Sequence, residues 1–325
     1  MNIKKIDIKE IEKEFKVFGN KHFSYKLDIL YRKYKELYFS TKFLNESLVF
    51  KNDNKIYIPI TLDKNSKEYS FYGYPIEYFS ENLMSKKDYY ELKKYINKFN
   101  GKKFFKFKIE NEKNIIENNL TLVESIVNEI YIDLSRSIEE IKNNFSSNLR
   151  NEMTKDYDDV IFEIIDKKNY KKNEIFEMMK LHIEISGKQT RSQKSWEQNE
   201  NMILEDKGFL TKVSYKGIVV SYSFFCHNNF TCIYLSSAGR REYYKKIRNM
   251  HHKSLWMAIN YAKKKCKFFF IGALTLYSKK ILSEKEKSIE KFKSKFKGIN
   301  SKFVILNDLP DYNYYKKYIV NTKNT

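Results

Sequence analysis

Lys293 is a charged residue on an otherwise apolar helical stripe. In the segment Ser283–Lys297, Ile289, Phe292 and Phe296 recur at helix spacing and Lys293 stands among them. A cation held there meets a developing oxyanion or a substrate phosphate, or else lays its stem along the core and carries its amine to water. Arg191 is one of only seven arginines beside 55 lysines, and it follows a helix-ending Gly187. It reads as a clamp for a phosphate or carboxylate, or as a surface residue flanking the next helix. Trp196 reads as pocket wall or core. His251 and His252 open a later helix, where an imidazole either serves as a general base or is structural. His182 shares a helix face with Ile175 and Met179 and reads as a core histidine. Tyr222 and Tyr234 fall within strands, where an acceptor could stack on them or where they pack. Arg240, Arg241, Lys245 and Lys246 crowd one loop, holding phosphates or facing water. Cys226, Cys232 and Cys266 show neither CxxC spacing nor a companion histidine cluster, so no metal site is expected. They read as buried thiols, with a Cys226–Cys232 pair geometrically open.

The elements that must position these residues are legible by pattern. Phe209–Gly239 contains three β-rich runs separated by Lys216-Gly217 and His227-Asn228-Asn229, an antiparallel meander. A helix at His251–Lys264, a strand at Phe268–Gly272, the Ser283–Lys297 helix and a strand at Phe303–Leu306 follow. Ahead of the meander, Ser137 and Glu140 form a capping box that starts a helix running to about Asp156. Then come a strand at Val160–Ile165 and helices at Lys172–Ser186 and Ser192–Asp206, ended by Gly187 and Gly208. The first 40 residues read as mostly helical, and Asn52-Asp53-Asn54 reads as a hairpin turn. A helix at Lys86–Phe99 and strands at Phe104–Ile109 and Leu120–Leu134 complete that half. The class is α/β (an α+β mixed sheet) in two domains, 1–134 and 135–325, with no Pro/Gly/Ser-rich linker between them.

Composition narrows the partners. The 325 residues are 42% hydrophobic and 16% aromatic, which argues against disorder, and carry a formal charge of +21. That charge suits RNA, an anionic glycan or a peripheral contact with a membrane surface. Its bias towards lysine is as well explained by a coding preference, since readers of nucleic acid lean on arginine. The N-terminus shows no apolar signal core, and no run approaches the ~18 apolar residues of a membrane span. A soluble cytoplasmic protein is expected.

The order of elements in the second half is similar to the Gcn5-related N-acetyltransferase fold, and local residues resemble its FemAB-like branch, in which two such domains stand in tandem. The resemblance is carried by Asp133-Leu134 through Asn148-Leu149-Arg150, Gly187-Lys188-Gln189-Thr190-Arg191-Ser192 with Trp196, and His252, Leu255, Trp256, Ala258 and Ile259. Ile271-Gly272 and Phe292-Lys293 with Phe296 and Gly298 continue it, and Ser70-Phe71-Tyr72-Gly73-Tyr74 resembles a Ser-x-Tyr-Gly segment in the first half.

The resemblance implies tandem domains, the second more complete than the first, and an N-acyltransferase moving an aminoacyl or acyl group onto an amine of a cell-envelope precursor or glycan. It places the site where the last meander strand parts from Phe268–Gly272. Lys293 and His252 would be catalytic, and Arg191, Trp196, Tyr222, Tyr234, Ser236 and Tyr72 would bind substrate. Arg240, Arg241 and Lys245 would hold donor phosphates. Acyl-CoA or aminoacyl-tRNA would be a co-substrate, with no tightly bound cofactor and no metal. Two departures stand out. Ala238-Gly239-Arg240-Arg241 lacks the second glycine of a pyrophosphate-cradling loop, and the interval Met202–Phe209 leaves no room for a long helical arm that grips tRNA. An acyl-CoA-dependent acetyltransferase of an amino sugar or small amine is the first alternative. A non-catalytic basic protein that binds RNA or an anionic glycan is the second.

Overall fold

The structure is a computed structural model that describes residues 3–18, 26, 28–51, 55–80, 84–113, 115, 121–247 and 250–319. The expected turn at Asn52-Asp53-Asn54 lies outside the described residues, but the strands flanking it pair antiparallel.

Short strands make up most of the first part: β1 (Ile3–Lys5), β2 (Phe43–Asn45), β3 (Leu48–Lys51), β4 (Lys55–Ile58), β5 (Thr61–Asp63), β6 (Tyr69–Ser70) and β7 (Phe79–Ser80). They form a four-stranded sheet, β1-β3-β4-β7, and a three-stranded one, β2-β5-β6. Helices α1 (Ile8–Phe18), α2 (Ile29–Phe39) and α3 (Lys86–Ile96) accompany them. Asp28 caps α2 by accepting from the N–H groups of Leu30 and Tyr31.

The remaining strands are β8 (Phe105–Ile109), β9 (Val123–Asp133), β10 (Val160–Ile165), β11 (Gly208–Tyr215), β12 (Ile218–His227), β13 (Thr231–Gly239), β14 (Phe268–Ser278) and β15 (Ile299–Leu306). They lie in one eight-stranded sheet, ordered β10-β11-β12-β13-β14-β9-β15-β8. The meander β11-β12-β13 is present as the sequence leads one to expect. Lys216 and Gly217 both take positive φ in its first turn, the geometry that hairpin twist favours. Strands β8 and β9 precede the expected boundary at 134/135, and β9 pairs with both β14 and β15, so the sheet is continuous across that point.

Helices α4 (Ile138–Asn144), α5 (Ser147–Thr154), α8 (Met250–Ala262) and α9 (Glu284–Lys293) cover one face, sharing a core with Phe209, Phe225 and Phe269. Helices α6 (Glu174–Ser186) and α7 (Gln193–Leu204) cover the other, and α2 joins them by sending Tyr31 and Tyr34 into that core. A third core lies between β8, β9 and β15, helix α3 and α10 (Tyr312–Tyr318).

Two expectations need correction. The single helix from Ser137 to Asp156 is two helices. Phe145 adopts extended backbone and is 2% exposed, its ring set against Trp256 and Phe296. Ser146 then caps α5 by accepting from the N–H of Leu149. Burying that ring outweighs continuing the helix. The strand expected to end at Gly272 runs on to Ser278, because β9 continues to pair with it.

Candidate active site at a split between two strands

Among the described residues, β13 and β14 are the parallel neighbours of the large sheet, and they pair over three residues only, Thr231–Ile233 against Phe268–Phe270. Each strand is irregular just beyond that point. In β13, Ser236 faces Phe224 and Tyr234 faces Phe225, which leaves Leu235 as an extra residue. In β14 the register with β9 slips between Phe270 and Gly272, and Gly272 takes φ +130°. Bulges bend and twist the strands that carry them, so the two strands turn apart and leave the facing edges of Tyr234–Gly239 and Ile271–Ser278 without each other. Helix α9 fills part of the deficit: the Thr275 N–H donates to Glu290 Oε1 at 2.8 Å.

Lys293 reaches the same stretch. Its Nζ lies 3.4 Å from the carbonyl oxygen of Ala273, and a Cβ on Gly272 would stand 2.6 Å from it. The missing side chain at position 272 is what admits the amine. Burial lowers the Lys293 pKa from its ordinary value, with Glu290 opposing the shift.

Across the split, Arg191 is tied to β13. Its guanidinium lies 3.5 Å from the centroid of the Trp196 ring and donates to Ser236 Oγ at 3.2 Å and to the Tyr34 hydroxyl at 2.8 Å. Arg191 is 7% exposed and Trp196 1%, so neither is a surface residue. The partners of Arg191 among the described residues, Tyr34, Ser236 and the Trp196 ring, are all neutral. His182 meets the Trp196 ring edge-on, and burial, then Arg191 and Lys285, lower its pKa.

Four residues that the sequence analysis did not assign to a site, Tyr31, Tyr34, Lys35 and Tyr74, belong to this neighbourhood. Tyr34 on α2 bonds to Arg191, and burial pushes its phenol up to about 12. The hydroxyls of Tyr31 and Tyr74 share a hydrogen bond. Lys35 places its ammonium 4.4 Å from the centroid of Tyr74 and 4.6 Å from that of Phe39, with no carboxylate partner among the described residues. Burial, then the nearby Lys26, bring its pKa down to about 8. Below this group lies a balanced buried network: Lys26 pairs with Glu77, and Lys106 with Glu77 and Glu129, while Tyr131 donates to Glu129. A stripe of tyrosines on α2 is the only sequence signal for the first group, and it reads equally as core.

A cleft of about 650 Å³ opens beside these residues. Phe39 and Tyr74, the rings that hold Lys35, form part of its wall, together with Asp63 and Asn65 from the small sheet and Ser278 and Lys280 from the end of β14.

The other expected site residues stand elsewhere. His252 is 3% exposed, stacked 4.8 Å from Phe292 with its Nδ1 2.8 Å from Glu152 Oε2. Burial, then Lys295 and His251, take its pKa down to about 3, so it is neutral and packed at physiological pH. Tyr222 gives its hydroxyl to Glu174 on α6 at 2.6 Å. Tyr234 lies on the α8 face, stacked on Phe225. Tyr72 packs with Phe43 and Phe71 in the core of the N-terminal strands. Arg240 pairs with Glu184 and approaches Glu242, while Arg241 and Lys245 are exposed on the same loop. Where a phosphate-cradling loop would lie, His251 fills the space a Cβ of Gly239 would need, 2.7 Å from its Nε2. The Tyr244 hydroxyl lies 3.0 Å from that nitrogen and donates to the Gly239 carbonyl. The three cysteines are buried and free. Among the described residues, no group of three or more His, Cys, Asp or Glu is placed to hold a metal ion. No helix among them is long and apolar enough to cross a membrane.

No protein-family model matches the sequence, and no curated protein matches it. Solved structures do. FemX is 12% identical, with a TM-score of 0.58 over 97% of this chain and 99% of that one. L-PGS from Bacillus licheniformis is also 12% identical, with a TM-score of 0.51 over 94% and 93%. These likenesses show the fold alone: the mixed α/β sheet and its helices follow the architecture seen in FemX and L-PGS.

Proposed function

We propose that this chain is an N-acyltransferase that moves an aminoacyl or acyl group onto an amine of a cell-envelope precursor or glycan. One observation carries the reading: two strands part after three residue pairs, with Arg191 bound to one lip and Lys293 to the other. Cations without carboxylate partners are costly to bury, and among the described residues the buried Arg191 and the half-buried Lys293 and Lys35 have no such partner.

The residues divide the work that amine acylation requires. A neutral amine attacks the acyl carbonyl, whose oxygen takes on negative charge in the tetrahedral intermediate. Its collapse forms the amide and breaks the bond to the donor's ribose oxygen (or CoA sulfur), and the proton lost by the amine goes to that leaving group. The Lys293 ammonium stands at the backbone of β14 to donate to that oxygen. Unpaired backbone of Tyr234–Gly239 gives the donor a strand edge to lie along. Arg191 and Lys35 hold anionic groups of a substrate, Arg191 through its forked donors and Lys35 as a point charge. The cleft walled by Phe39 and Tyr74 receives the acceptor. Because His251 and Tyr244 occupy the end of β13, the reading favours aminoacyl-tRNA over acyl-CoA as donor.

The test is transfer of labelled amino acid from a charged tRNA pool to a lysine-containing peptidoglycan precursor, with acetyl-CoA as the parallel donor. RNase should abolish transfer from tRNA, and Lys293→Ala should lower kcat about 10²–10³-fold, the usual effect of losing one oxyanion donor. Turnover that survives Lys293→Ala unchanged would sink the assignment. Transfer from acetyl-CoA that is indifferent to RNase would overturn the choice of donor alone.

A further inference from the structure

The turn between β14 and α9 carries the most exposed large aliphatic side chain among the described residues. Ile281 is 89% exposed, and Leu276 and Ile289, on the strand and helix that the turn joins, are 43% and 42% exposed. Among the described residues, Ile281 is left almost wholly uncovered. Lysines surround it in sequence: Lys279, Lys280, Lys285, Lys287 and Lys291 are all exposed. Lys285 and Lys291 have no carboxylate partner among the described residues, while Lys279, Lys280 and Lys287 pair only at the surface with Glu124, Glu286 and Glu284.

We propose that this turn docks the protein on an anionic lipid surface, with Ile281 entering the interface and the lysines meeting the headgroups. A protruding aliphatic flanked by lysines matches such an interface on both counts. The hydrocarbon leaves water, and each basic residue near an anionic surface adds its own attraction. An RNA partner would use the lysines and leave the isoleucine without a role. The position of the turn gives the contact a purpose. Ser278 and Lys280 line one edge of the 650 Å³ cleft, so docking brings that edge close to the lipid. An acceptor carried on a lipid would then be presented directly to it. That last step rests on the acyltransferase reading, whereas the docking does not.

The experiment is flotation of the full chain with phosphatidylcholine vesicles, with and without phosphatidylglycerol. Binding is expected only with phosphatidylglycerol, and it should weaken as salt is raised. Ile281→Asp should lower it at least ~10-fold at fixed salt, and the double change Lys285→Glu, Lys291→Glu should lower it by a similar factor. Both sets of changes are at exposed positions, and thermal melts will confirm that the variants fold. No binding to anionic vesicles, or binding unaffected by Ile281→Asp, overturns the proposal. So does a wild-type chain that ignores vesicles but shifts tRNA in a gel and loses the shift in the lysine variant. Flotation needs no turnover, so vesicle binding without acyl transfer would refute the function and leave the docking standing.

Discussion

At the scale of single residues, the site is a matter of where charge is left over. Lys106 and Glu129 are as buried as Arg191, yet they answer one another and need no ligand. Among the described residues Lys35 meets aromatic faces and a nearby Lys26, and its pKa of about 8 lies below the ordinary lysine value of 10.5. The sign of its effect follows. Folding disfavours the ammonium, so stability associated with Lys35 is present above about pH 10.5 and is lost as pH falls through about 8. Lys35→Met, which keeps length and removes charge, should therefore raise stability at neutral pH by ~1 kcal/mol, or Tm by about 2–3 °C. It should also weaken substrate binding. In the wild type, KM for an anionic substrate should climb above about pH 8 while kcat holds, a split that steady-state profiles will read. A flat KM between pH 7 and 9.5 would remove Lys35 from the site.

At the scale of elements, two glycines separate backbone strain from site geometry. Gly272→Ala puts a Cβ 2.6 Å from Lys293 Nζ at φ +130° and should cost about 1–3 kcal/mol. It should also drive kcat towards that of Lys293→Ala. Gly187→Ala, at φ +70° with nothing within 4 Å, should cost about 1 kcal/mol and leave kcat alone. Equal activity in the two variants would mean that Lys293 does not depend on the gap at Gly272. The meander and the capping box at Ser137 were legible in the sequence, because turns and caps are local, whereas the parting of β13 from β14 was expected only from the family resemblance. The interruption at Phe145 was not, since a long-range contact with Trp256 and Phe296 decides it. Nor was the part played by α2. Hydrophobic period shows that Tyr31 and Tyr34 are buried, but not that they are buried against a helix more than 150 positions downstream. Helix α10 was missed as well, though Asp311 accepts from the N–H groups of Asn313 and Tyr314 as its cap. Tyr72 packs in the core of the N-terminal strands, and Tyr74, two positions on, is the tyrosine beside Lys35.

At the scale of the whole molecule, one sheet ties the halves together. A fragment comprising residues 135–325 would lack β8 and β9, exposing one edge of β14 and both edges of β15. That fragment should be insoluble or unfolded, and a cooperative melt from it would show that the second half is an independent domain. The same pairing has a consequence for synthesis. Asp133 at the end of β9 waits for Phe268, 135 positions later, before its strand finds β14. At ordinary translation rates the delay is roughly 7–27 s. Through that interval the nascent chain holds an unpaired, hydrophobic strand of 11 residues outside the ribosome. The sheet that opens the split is thus completed only once β14 and β15 have been made, and the yield of folded protein should depend on whatever shields β9 until then.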